Sequence, residues 1–262
     1  MRTILRVAVV AVFFGAAALA AFVSLREPAL ERHWDEDVAV LAGVDLTDGG
    51  LVRLRDIRDW SYAADAIVSK GYFDATYDPD EIVDVWLYEQ QLDDAGLIAH
   101  TFVVFEFGED YGRGRWLGMS VETRRESHEE YSLISGMLRA FEVTHIWATE
   151  EDLVTRRVRY LDYPLTRYRL RIPPEIAPRL FVKLARETAA LATAPRWYNT
   201  VSNNCTSSLI RYVNESEPGA IPRHPSWVLT GTVDDYLAEL GYLDAGSAVA
   251  ITREWLDANA LR

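Results

Sequence analysis

Three residues of this chain have types and spacing suited to covalent chemistry: Cys205, His100 and Glu122. Cys205 is the single cysteine. It stands where a turn-prone run, Asn199 to Asn204, gives way to Leu209, Ile210 and Val213 at helical spacing. Asn203 or Asn204 suits the N-cap, because a side-chain oxygen there accepts an amide proton of the first turn. The thiol then lies at the positive end of the helix dipole, which favours the thiolate, the nucleophilic form. Cys205, Leu209 and Val213 are four apart, so the sulfur projects from the face that packs inward. A lone cysteine is as often a small buried hydrophobe. Position becomes chemistry only if a base is at hand.

His100 is the candidate base. It opens an apolar strand, His100 to Phe107, and Trp116 to Thr123 forms a hairpin with it around Gly108 to Arg115. With the turn centred between Asp110 and Gly114, the residue opposite His100 falls near position 123, so Glu122 or Arg124 is its cross-strand neighbour. A carboxylate there would hold the imidazole in one tautomer and raise its basicity while the ring takes the thiol proton. A slip of one residue would send Glu122 to the other face, where it would be a surface acid beside Arg124 or Arg125. Backbone amides at the start of the Cys205 helix, with Asn203 or Asn204, are candidate oxyanion donors. Tyr198 and Arg124 are further candidates for supporting the site. The other histidines read differently: His145, in an apolar run, as a hydrogen-bonded core residue, His128 and His224 as surface residues, and His33 as a neighbour of the leading segment.

Other chemistries lack their patterns. No His-Glu-x-x-His helix, Cys-x-x-Cys pair or phosphate-binding glycine loop occurs, and Asp35 to Asp37 and Asp78 to Glu81 lack calcium-loop spacing. No metal or cofactor is expected. Arg167, Arg169 and Arg171 alternate along one strand and read as a solvated face rather than a phosphate or headgroup site.

The first 26 residues read as a segment apart from the fold. Val7 to Leu25 is uncharged and apolar, about 28 Å long as a helix and close to the ~30 Å hydrocarbon core. Arg2 and Arg6 precede it and acids follow it. The expectation is a single-pass inner-membrane anchor, membrane contact through residues 4–25, and residues 27–262 outside the cytoplasm. A cleaved signal peptide ending near Ala18-Leu19-Ala20 is the alternative. Setting aside Arg2, Arg6 and Arg26 takes the formal charge from −13 to −16. Such a domain is repelled by nucleic acid, which is not an expected partner. With one cysteine it must hold by burial rather than by an internal disulfide.

No repeat or low-complexity linker divides residues 27–262. Val38 to Leu46, Leu51 to Ile57, Ile82 to Leu87, Val154 to Leu161 and Leu165 to Ile172 read as strands besides the hairpin. Tyr131, Ile134, Met137, Leu138 and Phe141 have the spacing of an amphipathic helix, as do Ile176, Leu180, Leu184 and Leu191. Thr232 with Asp235 opens a last helix that Gly241 closes. The class is α+β.

Ile98-Ala-His-Thr-Phe102, Ser120-Val-Glu-Thr-Arg124 and Trp197-Tyr-Asn with Asn203-Asn-Cys-Thr206 resemble the motifs of the Lnb-type N-terminal periplasmic domain family. The resemblance takes in Arg55-Asp-Ile-Arg-Asp-Trp60 and runs over most of residues 35 to 215. It implies a circularly permuted papain-like (NlpC/P60-type) fold, with Cys205 as nucleophile and His100 as its base. The enzyme that names the family is a lipoprotein N-acyltransferase, which carries an acyl group on its cysteine and continues into membrane helices that this sequence lacks. Three readings follow: a thiol enzyme transferring acyl groups on lipid or lipoprotein substrates, a cysteine peptidase or amidase on cell-wall peptides, and an envelope binding or assembly factor with an inert cysteine.

Overall fold

The structure, a computed structural model, describes residues 6, 10, 13–15, 17, 18, 21, 23–259 and 261. Among the described residues no helix is long and apolar enough to cross a membrane. Much of the apolar run Val7 to Leu25, on which the anchor rests, lies outside them.

A mixed sheet of nine strands organises the rest. They are β1 (Gly43–Leu46), β2 (Val52–Arg58), β5 (Tyr72–Tyr77), β6 (Asp84–Gln91), β7 (Ala99–Glu106), β8 (Trp116–Arg124), β9 (Glu142–Thr149), β10 (Leu165–Arg169) and β11 (Val249–Ile251). The spatial order is β1-β2-β9-β8-β7-β6-β10-β11, with β5 also on β2. All pairs are antiparallel except β2 with β9. Two short strands, β3 (Ser61–Tyr62) and β4 (Ile67–Ser69), pair separately. The helices are α1 (Glu36–Ala39), α2 (Leu133–Met137), α3 (Glu150–Thr155), α4 (Ile176–Leu191), α5 (Cys205–Ser216), α6 (Val233–Glu239) and α7 (Arg253–Ala258).

Alternation along the strands builds three layers. Val103, Phe105 and Leu87 face α4, α5 and α6, where Leu180, Phe181, Leu184 and Leu209 are buried against them. Phe102, Val104 and Tyr88 face the other way, under Leu153 and Val154 of α3 and Leu256 of α7. The α4 face Ile176, Leu180, Leu184 and Leu191 is buried as its spacing predicts. Gly241, at φ 80°, follows α6 as expected.

Two expected elements are corrected. Val154 to Leu161 is helical, not a strand: Thr149 caps the chain by accepting from the Asp152 amide, and Glu150, Glu151 and Asp152 fill the first turn. Leu153, Val154 and Val158 then share one buried face, and residues Arg156–Tyr160 widen into a π turn. The long helix expected over Tyr131 to Phe141 shrinks to α2. Arg139, at φ 55°, breaks it so that the chain can enter β9. Of the alternating arginines, Arg169 and Arg171 are exposed as expected, paired with Asp84 and Asp244, whereas Arg167 departs from expectation, buried between Trp86 and Trp255 and paired with Glu150.

Candidate active site

The site lies where the sheet parts. The β7–β8 ladder ends at Phe102↔Ser120, whereas β6–β7 runs on to Gln91↔Ala99 and β8–β9 to Arg124↔Glu142. Continued by two residues, this register sets His100 across from Glu122, one position from the expected residue 123. The parting leaves backbone groups to satisfy. Thr230 does this for Ala99: its hydroxyl donates to the Ala99 carbonyl at 2.6 Å and accepts from the Ala99 amide at 2.8 Å.

Cys205 closes this opening from the α5 side. Asn204 is the N-cap, and it forms a capping box: its Oδ1 accepts from the Ser207 amide at 2.7 Å, while Ser207 Oγ accepts from the Asn204 amide at 3.0 Å. The Asn204 side-chain amide donates to the carbonyls of Thr200 and Trp227. This one side chain therefore ties the loop, the helix start and the 225–230 segment together. Asn204→Ala is expected to cost about 2–3 kcal/mol, the cap plus two neutral hydrogen bonds. Asn204→Ser, which keeps a cap oxygen, should recover about 1 kcal/mol in a urea titration.

Cys205 is 4 % exposed, with the Ala99 carbonyl and the Thr206 hydroxyl each 3.8 Å from its sulfur. Thr206 in turn shares a 2.9 Å hydrogen bond with Thr101. Burial pushes the thiol pKa up, but the His100 charge, a hydrogen bond from His100, the Thr101 amide and the Thr206 hydroxyl outweigh it, and the net shift is downward. His100 moves the opposite way. Burial would lower it, yet the Glu122 carboxylate and the sulfur raise it to about 9. The two shifts together favour an imidazolium–thiolate pair.

Glu122 is held by three donors. His100 Nε2 lies 3.1 Å from its Oε1, the Ser120 hydroxyl donates to it at 2.7 Å, and Arg157 Nη2 at 2.6 Å. Ser120 Oγ is also 2.8 Å from His100 Nε2. Burial would raise the carboxyl, but His100 and Arg157 keep it well below the usual carboxylate range. Arg157 is buried against Phe102, its guanidinium carbon 4.5 Å from the ring centre. With Nε2 turned to Glu122 and Ser120, Nδ1 is the nitrogen left for the sulfur.

The cleft over Cys205, of about 280 Å³, is lined by His100, Glu122, Tyr198 and Asn204 among others. Tyr198 is buried there, its hydroxyl held well above the ordinary tyrosine range by burial and by the nearby sulfur. Asn203 does not line the cleft; its amide donates to the Trp197 carbonyl and its Oδ1 accepts from Ser208 and Arg211, which shapes the loop. Arg124 is also elsewhere. It straps the chain before β1 to β8, donating to the carbonyls of Leu30, Val38 and Ala39 and stacking on Trp34, and burial lowers it to about 10. As read from the sequence, His145 is buried, between Thr188 and Tyr212, and burial depresses it to about 3. His33, His128 and His224 are exposed.

The site contains groups that sequence reasoning passed over. Ser120 was within reach, since period-2 alternation puts it on the Glu122 face. Arg157 carried no signal once its segment was read as a strand. Glu89, 3 % exposed on the neighbouring strand β6, was passed over too: burial, Asp234, Asp235 and the sulfur push it up to about 8.

No curated protein and no solved structure matches this chain. The model of the family described as the Lnb N-terminal periplasmic domain matches residues 69–233, more than half of the chain and the stretch that carries His100, Ser120, Glu122, Arg157 and Cys205. The chain belongs to the Lnb N-terminal periplasmic domain family.

Proposed function

We propose that this is a periplasm-facing thiol enzyme, held to the inner membrane by its leading apolar segment, that transfers acyl groups through Cys205. The observation that supports this best is the hydrogen-bonded line Arg157–Glu122–His100, which ends in the cleft that Cys205 also lines, where a lowered thiol and a raised imidazole sit together. Cys205 attacks an acyl carbonyl, and His100 returns its proton to the leaving group, which leaves a thioester on the sulfur. Glu122 orients His100, and Arg157 with Ser120 keeps Glu122 ionised. In the first α5 turn the cap takes the Ser207 amide and the Asn204 carbonyl takes that of Ser208, so the amides of Cys205 and Thr206 are the oxyanion donors in this scheme. The acceptor then attacks the thioester, with His100 taking its proton. We read the arrangement as a permuted papain-like one, the histidine strand preceding the cysteine helix.

The donor class in this reading is a phospholipid or lipoprotein acyl ester, because tethering near the bilayer raises its effective concentration. Detergent-purified protein should carry a fatty-acyl mass on the peptide containing Cys205, released by hydroxylamine and diminished in His100→Ala. Absence of any adduct with lipid donors, together with one formed from a cell-wall peptide, would replace acyl transfer by peptidase chemistry.

A further inference from the structure

The cleft is polar around the sulfur and apolar at its mouth. Leu92, Tyr131, Leu133, Leu161, Tyr163 and Val228 line it, and each is more than a third exposed. They come from four separate stretches of chain, so no single amphipathic segment accounts for them. Beside them the α2 turn presents Ile134 and Met137, which are 66 % and 42 % exposed. This turn is latched to the cysteine loop, with Thr200 Oγ1 donating to the Leu133 carbonyl and Asn199 Nδ2 to that of Met137. Gly136 permits the close approach, since a Cβ there would come within 2.2 Å of Thr200 Oγ1. Apolar side chains gathered on one rim mark an interaction surface, whereas scattered ones need no explanation.

The start of the domain lies on the same border. Arg139, two residues past α2, donates to the carbonyls of Val23 and Ser24 at 3.3 Å. Trp197, next to the cleft residue Tyr198, donates to the Arg26 carbonyl, and the Arg26 guanidinium lies 5.3 Å from its ring centre. The apolar run that ends at Leu25 therefore joins the domain beside the apolar rim.

From this we infer that the mouth of the cleft docks on the bilayer surface, with Ile134, Met137 and the apolar rim seated at the level of the lipid headgroups and first acyl carbons. The inference rests on the reading of Val7 to Leu25 as a membrane anchor. It makes the route to Cys205 a lateral one, by which a lipid-embedded substrate reaches the sulfur without crossing water. The chain's formal charge of −13 gives no general attraction to anionic lipid. The docking is therefore apolar: it needs no anionic lipid, and salt does not weaken it.

The test uses the full chain in phosphatidylcholine vesicles, in a Cys205→Ala background that frees the protein of its own thiol. A fluorophore is attached at Ile134→Cys, at Leu229→Cys on the same side, or at Val83→Cys. Val83 is 61 % exposed and lies at the opposite end of β6 from the site. Brominated phosphatidylcholine should quench the labels at 134 and 229 at least threefold more than the label at 83, at low and high salt alike. Ile134→Ser with Met137→Ser should at least halve the quenching at 229. In the chain that retains Cys205, the same pair of changes should leave alkylation by a small water-soluble reagent unchanged. Chain that fails to float with vesicles would remove the anchor and the docking together. Floating chain with equal, weak quenching at all three positions would overturn the docking alone and assign the rim to water or to a protein partner. Because the labelled protein lacks Cys205, neither outcome depends on the thiol chemistry.

Discussion

His100→Ala is expected to slow alkylation of Cys205 several-fold at pH 7. In the wild-type site the imidazolium lowers the thiol pKa against the effect of burial. Without it burial is opposed only by the Thr101 amide and the Thr206 hydroxyl, and the thiol moves back up toward the ordinary pKa of ~8.5, where only about 3 % is thiolate at pH 7. A more basic thiolate is intrinsically more nucleophilic, at a Brønsted slope of about 0.4–0.5, which offsets part but not all of the lost thiolate, so the rate falls. Glu122→Gln tests the next member of the line. It removes the charge that lifts His100, so the basic limb of the alkylation profile should move down from about 9 toward the ordinary histidine range. An unchanged profile in both variants would mean that the cysteine is inert and would favour a binding or assembly role.

The same shifts make folding stability pH-dependent, with signs that differ by group. His100 is raised, so its contribution is complete below about 6.5 and is lost as the pH climbs through about 9. Glu122 is lowered, so its contribution is present above the ordinary carboxylate range and is lost in acid. The site therefore adds most to stability between those limits.

The largest stability effect is expected away from the cleft, at Asp152→Ala. Asp152 is fully buried and meets Arg58, 5 % exposed, in a forked pair, with Nη2 to Oδ1 at 2.6 Å and Nε to Oδ2 at 2.9 Å. It also accepts from the Trp60 amide at 2.8 Å. Removing the carboxylate strands a guanidinium in the interior and leaves that amide without its acceptor. The expected loss is about 3–5 kcal/mol, a large part of the ~5–15 kcal/mol that holds a typical domain. Arg58→Met combined with Asp152→Leu should be markedly more stable than Asp152→Ala alone, because no charge is then left unpaired. Urea unfolding followed by tryptophan fluorescence reads all three proteins. Equal midpoints for wild type and Asp152→Ala would show that the pair contributes nothing net.

This pair also explains part of the sequence pattern. Arg58, Asp59 and Trp60 belong to one of the stretches on which the family resemblance rests, yet none lines the cleft. Arg58 and Trp60 hold Asp152, and Asp59 accepts from the Thr149 hydroxyl, which also caps α3. They fix the start of the helix that carries Arg157 to Glu122. Their part is to support the site from a distance.

What the sequence by itself determined was local. Asn204 ahead of Cys205 encodes a helix start, because a cap needs only a side chain and an amide three residues on. The hairpin put His100 across from residue 123, within one position of Glu122, because register follows from turn length and period-2 alternation. The tertiary structure decided what depends on packing between distant segments. Arg157 reaches Glu122 only because α3 lies across the sheet face that presents Phe102, a contact over 35 residues of chain. Val154 to Leu161 has apolar residues that suit a strand, and it became helical because Thr149 caps it and the sheet face offers burial to a helical stripe. Thr230 can satisfy Ala99 only where β7 and β8 part. Glu89, unremarkable in a polar stretch of sequence, has its pKa raised by burial and by Asp234 and Asp235, which lie far along the chain. Capping and alternation are set by neighbours in the chain, whereas desolvation and charge pairing are set by neighbours in space, and only the folded protein fixes those.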